Sequence, residues 1–415
     1  MQSELLRIPV ELGGVPIFGF GVLLALWVVG LGGWLWRQTN RGMPTAEARG
    51  YLPVGLMVAV VIVALPRMFP GGLPIRGYGL MLLLAAVCGV GMAAHRARQN
   101  GLSADVIFSL SVWLFVCGIL GARLFYVIEY WETRFATLGF PNNVVQMLMF
   151  TEGGLVVYGS LIGAALAFVA FCLRHKLPML ALADILAPSL VVGLALGRVG
   201  CLLNGCCYGG QCDRVWAVTF PMGSPAYQDQ LYAGDLERGL QLQEDASTQP
   251  PRLIVRGALI AGQPDSEQVA TINGAEVHDM AGAQRVLSRA YWSGEDVTVA
   301  LRDGRRVIGA GQSLPVHPTQ LYSAVNAALL AWITWTYYAF RRRDGEVIGL
   351  LLTLYPISRY LLEDIRTDEA AIFGTGLSIS QNVSVGLLAA VAVYWFILLR
   401  RPPKLAFSGA NPGLA

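Results

Sequence analysis

Arg359, Glu363 and Arg366 recur at i, i+4 and i+7 in an apolar stretch, which puts two guanidiniums and a carboxylate on one helical face. Arg198 lies in Gly197-Arg-Val-Gly-Cys-Leu-Leu-Asn-Gly-Cys-Cys-Tyr-Gly209, a run that also carries Asn204. Arg123 lies in Gly121-Ala-Arg-Leu-Phe-Tyr126, and Arg76 and Tyr78 open a further apolar run. A charged side chain at membrane depth costs at least ~2.5 kcal/mol and marks function by default. Arginine is also the side chain suited to bidentate recognition of phosphate. Any one of these residues, near a helix end, is equally well read as snorkelling to the headgroups. Five or six on one leaflet, two of them beside glycine pairs that admit close approach, point to a phosphate-bearing lipid headgroup.

His317 begins His-Pro-Thr-Gln-Leu-Tyr322. Of the four histidines, His95 and His175 fall in basic loops and His278 in a polar segment, so His317 is the imidazole nearest the arginines. It reads as a general base or, equally, as a structural cap on the span that follows. Cys201, Cys206, Cys207 and Cys212 make a C-x4-C-C-x4-C cluster, whereas Cys88, Cys117 and Cys172 read as small apolar packers. The cluster suits a disulfide in an oxidising compartment, for instance one using Cys212, or zinc together with His317. Its spacing matches no standard zinc pattern, and the expectation is no metal and no organic cofactor.

These residues need helices in lipid to hold them. Only 14% of the 415 residues are charged and 55% are hydrophobic, against about 25% charged in a soluble chain. That excludes a cytosolic enzyme, a disordered chain and a basic nucleic-acid binder, so no nucleic-acid partner is expected. Apolar runs long enough to span occur at about 17–37, 52–69, 77–95, 104–127, 153–173, 180–203, 321–340, 346–362 and 380–399. Basic clusters fall in alternate loops: Arg37, Arg41 and Arg49; Arg96 and Arg98; Arg174 and Lys176; Arg341, Arg342 and Arg343; and Arg400, Arg401 and Lys404. Nine spans bring all five to one face, so the positive-inside rule predicts an outer N-terminus and a cytoplasmic C-terminus. The arginines and cysteines then lie toward the outer leaflet.

Residues 213–315 differ from the rest, with 22 charged residues in 103 positions against 35 in the other 312. This reads as one water-exposed module inside a membrane protein. Val215–Leu240 reads as a strand and turn continuing the outer face of the core. About 250–312 reads as strand, Asn-Gly turn, helix and Asp-Gly hairpin. That order is similar to the second half of a PDZ domain, though without a Gly-Leu-Gly-Phe-like loop. A complete domain of that kind would recognise extended peptides by strand addition; a truncated one would only cover the mouth of a site. The N-terminus also repeats itself: Val15-Pro-Ile-Phe-Gly-Phe-Gly21 aligns with Leu73-Pro-Ile-Arg-Gly-Tyr-Gly79, with Phe18 and Phe20 where the second copy has Arg76 and Tyr78. The expected architecture is an all-α polytopic membrane protein of about nine transmembrane helices with an inserted α+β, PDZ-like extracytoplasmic domain. Its expected parts are an extra N-terminal pair (1–70), a first core part (71–212), the insert (213–315), a second core part (316–402) and a cytoplasmic tail (403–415).

Taken in order, Pro74-Ile-Arg-Gly-Tyr-Gly-Leu-Met81, Gly121-Ala-Arg-Leu-Phe-Tyr126, Gly153-Gly-Leu-Val-Val-Tyr-Gly-Ser-Leu-Ile-Gly163, the Gly197–Gly209 run, His317-Pro-Thr-Gln-Leu-Tyr322 and Arg359-Tyr-Leu-Leu-Glu-Asp-Ile-Arg366 resemble one family, prolipoprotein diacylglyceryl transferase of bacterial membranes. The resemblance covers about 73–225 and 315–400. It implies transfer of an sn-1,2-diacylglyceryl group from phosphatidylglycerol to the lipobox cysteine of a prolipoprotein still carrying its signal peptide. The products are a thioether and glycerol 1-phosphate, and the setting is the bacterial inner membrane. By the family pattern Tyr78, Arg198, Asn204, Gly209, Arg359, Glu363 and Arg366 are site positions, with Arg76 and Arg123 as further lipid-binding candidates. A phosphate leaving group calls for cations where negative charge develops, and a thiol of pKa about 8.5 must be activated.

Three positions depart from the family. Tyr158 stands where a histidine is common, which leaves the general base open between Tyr158 and His317. Cys201 and Cys206 stand where Asn and Glu are common. Two other readings follow from these departures: a non-catalytic receptor or scaffold that displays the external domain, and a membrane thiol or zinc enzyme built on the cysteines.

Overall fold

The computed structural model describes residues 4–40, 52–68, 72–136, 139, 141–148, 154–236, 240–245, 252–256, 267–277, 279–293, 296–366, 371–372 and 376–407. Arg41, Arg49, Gly153 and His278 lie outside the described residues. The chain divides into two units, Met1–Leu80 and Met81–Ala415.

In the first unit, β1 (Glu4–Ile8) pairs antiparallel with β4 (Leu73–Arg76), and β2 (Glu11–Leu12) with β3 (Val15–Pro16). Helices α1 (Val22–Asn40) and α2 (Leu52–Met68) pack on each other. The two aligned copies thus share a strand-then-helix plan. The second runs directly from β4 into α3 (Gly77–Gln99), while the first needs the turn 17–21, with Gly19 at φ 73°, before its helix begins. Phe18 is buried and Phe20 exposed, and their counterparts Arg76 and Tyr78 are both exposed.

The second unit is mainly helical. Besides the rest of α3 it contains α4 (Ala104–Glu129), the short α5 (Asn142–Leu148), α6 (Val157–His175), α7 (Met179–Asn204), α10 (Thr319–Tyr337), α11 (Glu346–Glu363) and α12 (Ile379–Leu399). Each of the nine apolar runs falls on a helix, and five of these helices (α3, α4, α6, α7 and α12) are long and apolar enough to cross a membrane. Helices α4 and α6 pair through glycine. A Cβ on Gly121 would lie 2.4 Å from the Gly159 carbonyl oxygen, and one on Gly163 would lie 2.3 Å from that of Cys117. Only small residues let two backbones come so close, the usual way to join helices in lipid. Helix α7 packs on α10 and α11, and α11 on α12. Their apolar faces, including Leu182, Ile185, Val191, Ala327, Leu330 and Val347, merge into one core with Ala97, Ile107 and Phe171.

The polar insert folds as its turn chemistry predicts in its second part. Strands β5 (Gln241–Asp245), β6 (Arg252–Arg256), β7 (Glu267–Ile272), β9 (Val297–Leu301) and β10 (Arg306–Gly309) form one antiparallel sheet in the order β10-β9-β7-β6-β5, with β8 (Ala275–Glu276) hairpinned onto β7. Asn273 and Gly274 both have positive φ, as a tight Asn-Gly hairpin requires, and Gly304 does the same beside Asp303. Helix α9 (Met280–Ser293) covers the sheet with Ala283, Leu287 and Ala290. The first part differs from the sequence expectation. Strand-like pairing at Val218 and Pro221 gives way to a helix, α8 (Pro225–Ala233), rather than to a turn. Ser224 caps it by accepting from the Tyr227 N–H, and Pro225 occupies the first turn, where its missing N–H costs nothing. Met222, Tyr227, Leu231 and Leu240 join the apolar core of the sheet, and the Tyr227 hydroxyl accepts from the Leu240 N–H at 2.9 Å. Burial pushes the Tyr227 phenol above its ordinary value. The apolar core of the sheet thus takes in residues of the insert from Met222 onward.

Candidate active site

Four helix ends meet at one end of the second unit: the C-terminus of α7, the N-terminus of α10, the C-terminus of α11 and the N-terminus of α12. Helix α7 stops at Gly205, whose φ of 75° lets its N–H turn back to the Cys201 and Leu202 carbonyls. The following residues are then stitched to the other ends by backbone bonds. Gly209 N–H donates to the His317 carbonyl (2.9 Å), His317 N–H to Gly210 (3.0 Å), and Gly210 N–H to Ile365 beyond α11 (3.2 Å). From the buried start of α10, Thr319 Oγ1 donates to the Cys207 carbonyl and Gln320 Nε2 to that of Cys206, both at 2.8 Å.

Gly209 is required by this packing. A Cβ there would lie 2.7 Å from Thr319 Cγ2, 2.8 Å from His317 Cβ and 2.9 Å from the Ile365 carbonyl oxygen. Glycine thus permits the signature segment, the His317 segment and the α11 end to share one point.

Glu363, only 4% exposed, is held by side chains. It pairs with Arg359 one turn earlier, lies 3.9 Å from Arg366 Nε, and accepts from Ser378 Oγ at 3.3 Å. Arg359 Nη2 also donates to Ser380 Oγ at 2.8 Å. Ser378 doubles as the N-cap of α12, in a capping box with Gln381 that further donates to Asp364. A buried carboxylate with two arginines is tolerable because charge and hydrogen bonding are both matched.

Arg198, on the last turns of α7, and Arg366 both act on the Cys207 thiol. Hydrogen bonds from Cys201 and Cys206, then these two arginines, pull that thiol below the ordinary value against the opposing effect of burial. Arg198 lies on α7, and Arg366 lies just past the end of α11. The Cys206 thiol donates to the Cys201 carbonyl at 3.8 Å, and Asn204 is the last residue of α7. The sulfurs of Cys201, Cys206 and Cys207 lie within 4.8 Å of one another. Cys212 is outside this group; it is buried with its N–H on the Pro315 carbonyl, and no disulfide is formed among the described residues.

Sequence-predicted residues divide accordingly. Arg198, Asn204, Gly209, His317, Arg359, Glu363 and Arg366 come together on this end. His317 Nδ1 is 3.4 Å from the Tyr322 hydroxyl, and the backbone of His317 carries the ladder to Gly209 and Gly210. Arg123 is engaged differently. Its Nε, Nη1 and Nη2 donate to the carbonyls of Met147, Gly154 and Gln146 at 2.9, 3.1 and 2.7 Å, tying α4 to the loop before α6. Tyr158 stands in the first turn of α6 beside the Gly159 crossing, partly exposed. An apolar groove of about 550 Å³ runs along that crossing, lined by Leu120, Leu124, Phe125, Ile162 and Leu166 among others. Arg76 and Tyr78 belong to the first unit, at the junction of β4 and α3. Sequence reasoning missed Ser378, Ser380 and Gln381, although the S-x-x-Q spacing ahead of an apolar run is a capping signal.

A profile of the family described as prolipoprotein diacylglyceryl transferase matches residues 66–397. The phosphatidylglycerol--prolipoprotein diacylglyceryl transferase of Rhodopirellula baltica is 35% identical over 96% of this chain and 90% of its own length. That of Geobacter sulfurreducens is 37% identical over 40% of this chain and 64% of its own, and the second such enzyme of Clostridium perfringens 33% over 41% and 67%. With the signature segment, the His317 segment and the α11 arginines joined at one point, the chain belongs to the prolipoprotein diacylglyceryl transferase family.

Proposed function

We propose that this protein transfers the sn-1,2-diacylglyceryl group of phosphatidylglycerol to the lipobox cysteine of prolipoproteins, releasing glycerol 1-phosphate. The observation that carries this reading is the meeting of the α7, α10, α11 and α12 ends, with Arg198 on α7 and with Arg359 and Arg366 gathered around Glu363. In the reaction the acceptor sulfur attacks the terminal glyceryl carbon, a C–S bond forms, and the C–O bond to phosphate breaks. The electron pair leaves with the phosphate, so negative charge grows there, and fixed guanidiniums stabilise it most where water is excluded. Glu363 keeps Arg359 and Arg366 in place without neutralising both. Asn204 and Gly209 shape the segment that carries Arg198. Tyr158 and His317 remain the two candidates for receiving the thiol proton, and Tyr78, Arg76 and Arg123 follow the family pattern as lipid contacts.

The same reading sets the protein in the bacterial inner membrane as nine spans, N-terminus outside and C-terminus cytoplasmic, with this end of the bundle at the outer leaflet. Both substrates are amphipathic and would enter from the bilayer. The insert, PDZ-like in its order of elements, would face the extracytoplasmic side and cover the site's mouth. The test is an assay of the purified full chain with phosphatidylglycerol vesicles and a lipobox peptide. A diacylglyceryl-sized mass gain on the peptide cysteine is expected. Bound phospholipid without product would instead make the chain a receptor or scaffold.

A further inference from the structure

The cysteines of the signature segment are brought together by folding, not by sequence spacing. The left-handed turn at Gly205 folds the chain back so that Cys206 N–H meets the Cys201 carbonyl at 3.2 Å. Cys207 then adopts φ 58°, a left-handed conformation that a residue with a side chain avoids unless its surroundings impose it. Thr319 and Gln320 impose it by holding both cysteine carbonyls from α10. The result is three half-buried sulfurs within 4.8 Å of one another. Tetrahedral zinc with Zn–S bonds of about 2.3 Å holds its sulfurs roughly 3.8 Å apart, within reach of small side-chain rotations. Three thiolates around a divalent cation carry one net negative charge, at an end of the bundle where Arg198, on α7, and Arg366, just past α11, supply positive charge. His317 and Cys212 are outside this group, so among the described residues the chain offers three ligands, the number found where a fourth position stays open for a reactant.

We propose that Cys201, Cys206 and Cys207 bind one zinc-like cation whose fourth position takes the thiol of the acceptor peptide. This rests on the transferase reading and offers, beside the two side-chain bases Tyr158 and His317, a further means of activating the thiol in a chain with Tyr158 at the family's histidine position. Coordination releases the thiol proton to water. The bound sulfur then attacks the glyceryl carbon, C–S forms as C–O breaks, and the electron pair departs on the phosphate beside the arginines. No electron is gained or lost by the metal or the cysteines.

The experiment uses the full chain purified in detergent with its thiols reduced. Elemental analysis after incubation with zinc should find one ion per chain. Cys201→Ser and Cys206→Ser should each bind roughly 100-fold more weakly or worse, while Cys88→Ser, on a distant face, binds normally. With cobalt in place of zinc, thiolate-to-metal absorption should appear and change when a lipobox peptide is added, but not its Cys→Ser version. A parent that takes up no ion, or that loses two hydrogens to a disulfide among the three cysteines, overturns the site. Cobalt absorption blind to the peptide thiol, or undiminished transfer by metal-free protein, overturns the activation. A protein that binds the ion and responds to the thiol, yet makes no lipidated peptide, would leave the site standing and sink the transferase reading.

Discussion

Two buried carboxylates, at opposite ends of the α7–α11 packing, are satisfied in opposite ways. Asp184, wholly buried near the start of α7, accepts from the backbone N–H groups of Gly345 (2.7 Å) and Ile348 (2.9 Å) at the start of α11. It caps that helix across an interhelical contact, where a negative charge also suits the helix dipole. Glu363, at the other end of α11, is met by Arg359, Arg366 and Ser378 side chains. Backbone donors cannot be passed to a ligand without unwinding the helix. Guanidiniums can, because each has five N–H groups and can hold a carboxylate and a phosphate at once. The first acid builds the bundle, whereas the second arranges charge for a visitor.

The largest expected effect tests the second half of that contrast. Arg198→Ala or Arg359→Ala should lower transfer by about 100- to 1000-fold, the usual cost of removing one donor to a developing anion, with helix content unchanged by circular dichroism. Wild-type turnover in both would end the phosphate-clamp argument. Gly209→Ala should follow closely. Its methyl would collide with His317, Thr319 and the Ile365 carbonyl, and a shift of about 1 Å in the signature segment can cost on the order of 100-fold. The comparison sharpens if this variant keeps its melting temperature while losing rate. Asp184→Ala should do the reverse, lowering stability by about 2 kcal/mol through two orphaned N–H groups while activity per folded molecule stays near the parent's. A rate loss in Asp184→Ala without a stability loss would erase the distinction between the two ends.

Much of this architecture was legible because lipid imposes long apolar runs and leaves its few charges conspicuous. Each of the nine runs overlaps a helix, five of them long and apolar enough to cross a membrane, and Arg198 and Arg359 lie on α7 and α11 with His317 just before α10. What was not legible depends on backbone turns and on who meets whom. The Gly205 turn gathers Cys201, Cys206 and Cys207 and leaves Cys212 aside, which linear spacing cannot show. Arg123 looked like its fellow arginines, but two of the carbonyls that take it up end the short helix α5, about 25 residues further on, and the third is that of Gly154 in the loop before α6. Ser378 carried a capping signal with Gln381 that marks a helix start but not a site, and Ser380 carried none until its partner Arg359 is known. Residues 225–233 read as part of a strand and turn, whereas Pro225 is the first residue of a Ser224-capped helix.

The insert offers the smallest expected effect and a third kind of polar region to set beside the two carboxylate ends. It is joined to the site-bearing end by Val218 and Val316, which exchange backbone bonds at 3.0 Å, while its sheet is held on a separate apolar core. The Tyr291 hydroxyl, donating to the Thr219 carbonyl at 2.7 Å, is one of the ties between them. Replacing the whole module from 222 to 310 by a short flexible linker keeps the Val218–Val316 pairing and removes the core intact, whereas a cut at 250 would strand Tyr227, Leu231 and Leu240 in water. The module bonds the signature segment through the Ala226 N–H on the Gly205 carbonyl (3.2 Å) and through Asp229, which accepts from the Tyr208 hydroxyl (3.0 Å). The bonds described for Arg359 and Glu363, however, come from α11 and α12; transfer to a short lipobox peptide should therefore change by less than about 3-fold, a difference of under ~0.7 kcal/mol in barrier. Transfer to a full-length prolipoprotein is the measurement that separates a mere cover from a peptide-binding arm. Equal rates on both acceptors mark a cover, and a loss confined to the long acceptor marks an arm. A loss on both would mean that the module supports the site itself, and the contrast between structural and visiting charge would have to extend into the insert.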